Sequence, residues 1–180
     1  MTRLTINREI STWLLLCMIV ILASILRFYD LGRESYWWDE FVTVRVAQEN
    51  LLTILQGGRP PLYIILAHFW IKLFGTTEMA TRSLSAIAGV AAIPVLYVVG
   101  RNLFDKKVGL ISAFLMAIPL FQIYYSQEFR YYSVYVLITL ISFYFFIAFL
   151  KEGRLSYLIL YTLSIILLFL LRSHHESFFL

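Results

Sequence analysis

Charged residues divide this chain into apolar windows of nearly uniform length. Ile10 to Leu26 carries no charge and lies between Glu9 and Arg27. Ser83 to Gly100, Val108 to Gln127, Tyr131 to Leu150 and Leu155 to Leu171 follow, each closed at both ends by a charged residue. All are 17 to 20 residues long, and a helix needs about 20 apolar residues to cross roughly 30 Å of hydrocarbon. Only a helix satisfies its own backbone over such a run in lipid. The pattern predicts an all-α, polytopic transmembrane protein with five spans, at about 10–26, 83–100, 108–125, 133–150 and 155–171.

Two segments need separate treatment. The first window has basic flanks at Arg3 and Arg8, as a signal peptide does, but Ala23-Ser24-Ile25-Leu26-Arg27 is a poor cleavage site, so it reads as a retained anchor. Pro60 to Ile71 is apolar over only 12 residues, a length typical of interfacial or re-entrant segments. Reading it as interfacial puts Arg101, Lys106, Lys107, Lys151 and Arg154 on the side of Arg3 and Arg8, as the positive-inside rule asks. The N-terminus is then cytoplasmic, and the outer loop 27–82 faces the Glu128 loop outside. Within that loop, Glu40 to Gln56 has near-helical apolar spacing, and Gly57-Gly58 ends it.

Composition agrees with lipid as the solvent. Hydrophobic residues make up 61% of the 180 residues and charged ones 14%, against about 25% charged in soluble domains. The net charge of +4 is scattered and does not suggest nucleic acid. Cys17 is the single cysteine, so no disulfide forms within the chain. There is no Gly-rich phosphate loop, His-Glu-x-x-His, Cys-x-x-Cys or G-x-S-x-G. No charge lies inside any of the five windows, which argues against an ion channel or proton-driven transporter.

The candidate chemistry sits between the windows. Asp39 and Glu40 lie in Tyr36-Trp37-Trp38-Asp39-Glu40-Phe41. They are either an aromatic belt and helix cap or a carboxylate made more basic by tryptophans that exclude water. Glu128 and Arg130 lie among four tyrosines in the turn after the third window, as an ordinary surface ion pair or as a second acid facing the first. Arg59, before Pro60-Pro61, is a snorkelling arginine or a phosphate ligand. His174 and His175 point in different directions on a helix and make poor joint metal ligands.

In order along the chain, these motifs resemble the GT-C membrane glycosyltransferases, the group with protein O-mannosyltransferases and aminoarabinose transferases. The matching pieces are Trp37-Trp38-Asp39-Glu40, Arg59-Pro60-Pro61-Leu62-Tyr63 and Phe69-Trp70-x-x-Leu73-Phe74-Gly75-x-x-Glu78. Arg82-Ser83-Leu84-Ser85-Ala86, Tyr97-x-x-x-Arg101-x-Leu103-Phe104 and Tyr125-Ser126-Gln127-Glu128-x-Arg130-x-Tyr132 follow. Phe129 and Tyr131 depart from the alanine and methionine common in that group. Family members are much longer, so residues 1–180 are expected to form one incomplete GT-C-like domain, inactive alone.

The resemblance implies an extracytoplasmic transfer from a polyprenyl-phosphate-linked sugar, with Asp39 and Glu128 as catalytic residues. A polyprenyl phosphate leaves readily, so one base suffices, unlike the two carboxylates of a glycosidase. Asp39 is assigned as that base, and Arg59 with Arg130 as the phosphate's counter-charge. Glu128 is expected to orient the acceptor or, with Asp39, to help hold a divalent metal. Glu40, Tyr63, Gln127, Tyr132, His174 and His175 complete the expected substrate-binding set. A non-catalytic lipid-phosphate carrier or flippase component, a membrane scaffold and a truncated inactive fragment remain as other readings of the same residues.

Overall fold

The computed structural model describes residues 3–56 and 61–171, with side chains placed from 10 to 56 and from 62 to 171. Arg59, His174 and His175 lie outside the described residues. Among the described residues the structure is helical, without strands. The helices are α1 Arg3–Phe28, α2 Trp38–Ala47, α3 Leu51–Gln56, α4 Pro61–Phe74, α5 Glu78–Leu103, α6 Lys106–Ala117, α7 Leu120–Ser126, α8 Tyr132–Glu152 and α9 Leu155–Leu171.

Local chemistry sets several of these boundaries. Thr77 precedes α5, and its hydroxyl accepts the Ala80 N–H at 3.3 Å. Asp105 does the same for α6, accepting the Val108 N–H at 2.9 Å. Gly153 ends α8 in the left-handed region at φ 66°, where a side chain would strain the backbone.

By length and composition, Ile10–Phe28, Glu78–Leu103 and Tyr132–Glu152 can each cross a membrane. The third window differs from its expectation of one straight span. It breaks into α6 and α7, which bend by 65° at Ile118-Pro119, because proline has no N–H to continue the helix. It counts as a fourth span only if the bent pair crosses together. The freed carbonyls are not left bare. Arg27, fully buried, donates from Nη1 to Ala117 O at 3.0 Å and from Nη2 to Met116 O at 3.1 Å. The arginine read as a span boundary is therefore the cap of another helix. The fifth window is α9, whose 17 described residues give about 25 Å of helix, short of the hydrocarbon thickness.

The long helix α5 is the spine, and both core clusters lean on it. One joins Leu84 and Ala88 of α5 to Val44, Tyr63, Ala67, Phe129 and Leu171. The other joins Ala92, Ile93 and Tyr97 to Leu16 and Ala23 of α1 and Ala113 and Met116 of α6. Small residues make these approaches possible, since lipid supplies no hydrophobic drive between helices and close packing must do so. A Cβ on Gly109 would stand 2.6 Å from Tyr97 O, and one on Gly100 would stand 3.0 Å from the Gly109 Cα.

The helix ends sort into two sets. Gln127, after α7, donates from Nε2 to Tyr29 O at 2.9 Å and to Leu26 and Arg27 carbonyls, closing the C-terminus of α1. Arg82, near the start of α5, donates to Leu31 O, just after α1. The chain from Phe28 to Glu78 thus begins and ends at one end of the bundle. Lys151, at the end of α8, donates to Asn102 O at the end of α5, which marks the opposite end.

Replacing Gly109 by leucine must push α6 off α5. The expected loss is about 1–3 kcal/mol, read as a lower thermal midpoint. Ile111→Ala, on the exposed face of the same helix, is expected to change stability by about 0.5 kcal/mol or less.

Candidate active site

Glu40 lies in the first turn of α2, a helix that starts two residues earlier. It is buried, 1% exposed, and such a carboxylate must be fully paired to be tolerated. Its Oε1 accepts Arg82 Nε at 3.0 Å and the Phe129 N–H at 2.6 Å. Oε2 accepts Arg82 Nη2 at 2.7 Å and the Trp37 N–H at 3.2 Å. Arg82 also donates to the carbonyls of Leu31, Glu34 and Ser35. Tyr36 lies 5.7 Å from its guanidinium carbon and bonds Thr81 Oγ1 at 2.9 Å. One bidentate ion pair therefore binds the first loop, α5 and the α7–α8 turn together.

This clasp sets the other acidic and basic groups. Asp39 points away from it, with its side chain 57% exposed, and its Oδ2 lies 3.8 Å from Arg130 Nη2. Arg130 is itself buried, 9% exposed. Its Nη1 donates to Asp39 O at 3.3 Å and to Thr43 Oγ1 at 3.2 Å. Its carbonyl accepts the Ser85 hydroxyl, and it lies 6.0 Å from the Tyr132 ring centre. Among the described residues, Arg130 Nε and the buried Tyr63 hydroxyl have no hydrogen-bond partner.

Glu128 occupies different ground. It lines a cavity of about 650 Å³ with residues of α1, the first loop and α7, among them Leu26, Glu34, Ile123 and Gln127. Burial pushes its carboxyl above the ordinary range. Negative charge on Glu40 and Asp39 adds to this, while the Tyr124 hydroxyl and Arg130 oppose it.

Several residues therefore sit differently from the sequence expectation. Glu40, expected to touch substrate, has both oxygens taken by four protein donors. The Gln127 amide is occupied in capping α1. Tyr63 is packed 5.9 Å from the Phe129 ring and 6.4 Å from the Tyr131 ring. Tyr132 lines a second, aromatic cavity of about 320 Å³ with Phe121, Tyr125, Tyr131 and Tyr135. The tryptophans do not shield Asp39, since Trp37 and Trp38 are 56% and 75% exposed. Sequence reasoning gave Arg82, Tyr36 and Thr43 no role in the site. The one available signal was Arg82 itself, a charge at the edge of an apolar window with an acid 42 residues earlier. His68 of α4 is buried against α2, with Nδ1 at 2.7 Å from Ala47 O. As ligands for a divalent metal, Asp39 and Glu128 are poorly supported. No group of three His, Cys, Asp or Glu side chains comes together among the described residues, and Arg130 already faces Asp39.

Residues 58–176, about two thirds of the chain, match the family model of dolichyl-phosphate-mannose-protein mannosyltransferase. Glu128 and Arg130 lie inside the matched segment, and Asp39 precedes it. A search of curated proteins gives no match to the chain.

Glu40→Ala strands Arg82 as a buried, uncompensated charge, and the expected cost is about 3–5 kcal/mol in equilibrium unfolding. Replacing both Glu40 and Arg82 by leucine should cost clearly less than the single change. A double variant no more stable than Glu40→Ala would refute the coupling. For Glu128 the sign follows from its raised folded pKa. The folded state binds more protons than the unfolded state, so stability falls as pH rises from the model-peptide value of 4.5 through the higher folded value. Unfolding curves across that range should show this slope in the wild type and its loss in Glu128→Gln.

Proposed function

The chain belongs to the dolichyl-phosphate-mannose-protein mannosyltransferase family, glycosyltransferases of the GT-C type, and on that footing we propose that it transfers a sugar from a polyprenyl-phosphate donor to an acceptor hydroxyl, with inversion. The observation that carries this reading is the Glu40–Arg82 clasp, with its bond to the Phe129 N–H. It brings the first loop and the α7–α8 turn to one end of the bundle. There an exposed carboxylate, Asp39, stands beside a buried guanidinium, Arg130.

Such a pair suits the chemistry. The acceptor oxygen attacks the anomeric carbon, its proton passes to Asp39, and the bond from that carbon to the phosphate oxygen breaks. The electron pair leaves on the phosphate, so no general acid is needed there. Arg130, with an unpartnered Nε, is the counter-charge for that phosphate, together with Arg59. Tyr63, whose hydroxyl is also unpartnered, and Tyr132, under the guanidinium, belong to the same side. Glu128 orients the acceptor. Glu40 and Gln127 act by holding the loops in place, and His174 and His175 keep the substrate-binding role that the resemblance gave them. The acid–base step is assigned to Asp39 alone.

The protein is a multi-pass membrane protein, and the site end is proposed to face outward. Lys151 meets the end of α5 at the opposite end, close in sequence to Arg101 and Arg154, and basic loops favour the cytoplasm.

Asp39→Asn in the complete natural protein should lower sugar transfer by about 10²–10⁴-fold, while thermal stability and polyprenyl-phosphate binding stay near wild type. Unchanged transfer would remove Asp39 as the base. Phosphate binding without any transfer in the wild type would favour the carrier reading.

A further inference from the structure

The transfer reading places the donor phosphate beside Arg130 and assigns no occupant to the cavity that Glu128 lines. We propose that the cavity between α1, the first loop and α7 is the acceptor site, and that it takes an amphipathic acceptor with a neutral or cationic hydroxyl-bearing head and an apolar segment. The assignment of an acceptor rests on the transfer reading above. The ligand chemistry rests on the cavity alone.

Size comes first. About 650 Å³ falls within the range of sites for small organic molecules and exceeds the volume of a single sugar ring. The lining is mixed, with the apolar Ile25, Leu26, Leu120 and Ile123 beside the polar Asp30, Glu34, Gln127 and Glu128. Ile25 and Leu120 are also exposed on the outer surface of the bundle, where the apolar part can open sideways into lipid.

Charge then decides the class of head group. Three acids line the cavity, Asp30, Glu34 and Glu128, against two cations, Arg33 and Arg82. Both cations are already engaged. Arg33 pairs with Asp30 at 3.1 Å, and Arg82 holds Glu40 and three carbonyls. A phosphate entering here would meet three carboxylates against one exposed guanidinium, Arg33, that already pairs with Asp30. Hydroxyl groups, by contrast, can donate to carboxylates, as a sugar or other polyol does. Among the described residues the unpartnered buried donors are Arg130 Nε, the Tyr63 hydroxyl and Arg27 Nε, none of which lines this cavity, and Arg27 is taken up by the carbonyls at the end of α6. An anionic head is therefore directed to the Arg130 side and a hydroxyl-rich head to the Glu128 side. The acceptor hydroxyl has to reach Asp39 from this cavity, and Asp39 lies close enough to Glu128 for its charge to act on that carboxyl.

Photolabelling of the complete protein in phosphatidylcholine nanodiscs tests this without any need for turnover. The probes are dodecyl glucoside and farnesyl phosphate, each with a diazirine in its alkyl chain. Dodecyl glucoside should label peptides of α1 and α7, and a tenfold excess of farnesyl phosphate should leave that labelling within about twofold. Ile123→Trp, which fills the cavity, should cut glucoside labelling about tenfold or more. Glu34→Arg, on the exposed loop, supplies the missing cation and should let farnesyl phosphate label α1 and α7. It keeps the test decisive if the tryptophan variant does not fold. Equal labelling of this cavity by both probes in the wild type would overturn the proposal, as would glucoside labelling that neither substitution moves. Asp39→Asn should label as wild type does. The two readings can therefore fail separately, one by transfer and the other by binding.

Discussion

A carboxylate can be buried at a membrane boundary only if protein donors replace its water, and Glu40 shows how much structure that requirement organises. Its four donors come from three places: its own helix start, α5, and the turn before α8. Each donor satisfies part of the desolvation demand, and each fixes a different segment relative to the others. Arg82 extends the same logic, since a buried guanidinium also needs acceptors and takes them from the first loop. The ion pair is weak evidence for net stability, because burial costs both ions about what their attraction returns. Its value lies in specificity. Few other arrangements of these loops leave neither charge stranded.

A second joint works with backbone groups. The bend at Pro119 frees carbonyls at the end of α6, and Arg27 of α1 covers them. The end of α1 then has open carbonyls of its own, and Gln127 covers those. Arg27 of α1 thus caps α6 and Gln127 after α7 caps α1, each through residues about a hundred positions apart. Glu128 follows Gln127 directly, so this capping fixes the residue that faces the cavity. Gly89 makes room for the joint: a Cβ there would stand 2.3 Å from Ser126 Oγ and 3.1 Å from Arg27 Nε.

The outcome is an electrostatic division at one end of a helical bundle. On one side a buried arginine and a buried tyrosine have unpartnered donors beside an exposed aspartate. On the other, a cavity is rimmed by acids whose neighbouring cations are already engaged. Two substrates of opposite preference, one anionic at its reacting end and one rich in hydroxyl groups, are a natural match for such a division. The proposed transfer from a lipid-phosphate sugar to a hydroxyl group would use that division.

Much of this was legible in the residues themselves. Charge-free windows of helical length fixed the class of fold, because lipid permits little else over such runs. The ordered motifs pointed to the family. The acids at 39 and 128 stood out as candidates because they lie among tryptophans and tyrosines between apolar windows, and the resemblance supplied the roles expected of them. Tertiary structure alone decided the rest. No pattern along the chain says that Glu40 faces inward while Asp39 faces outward, since adjacent residues on a helix differ by about 100° and the clasp chooses between them. Nor does it say that Arg27 and Gln127 act as caps, because their partners are backbone carbonyls, which every residue has. The sequence by itself determined that acids and helices would meet at a membrane boundary. Only the fold decided which acid is a strut and which is free to act, because that depends on donors brought in from distant segments.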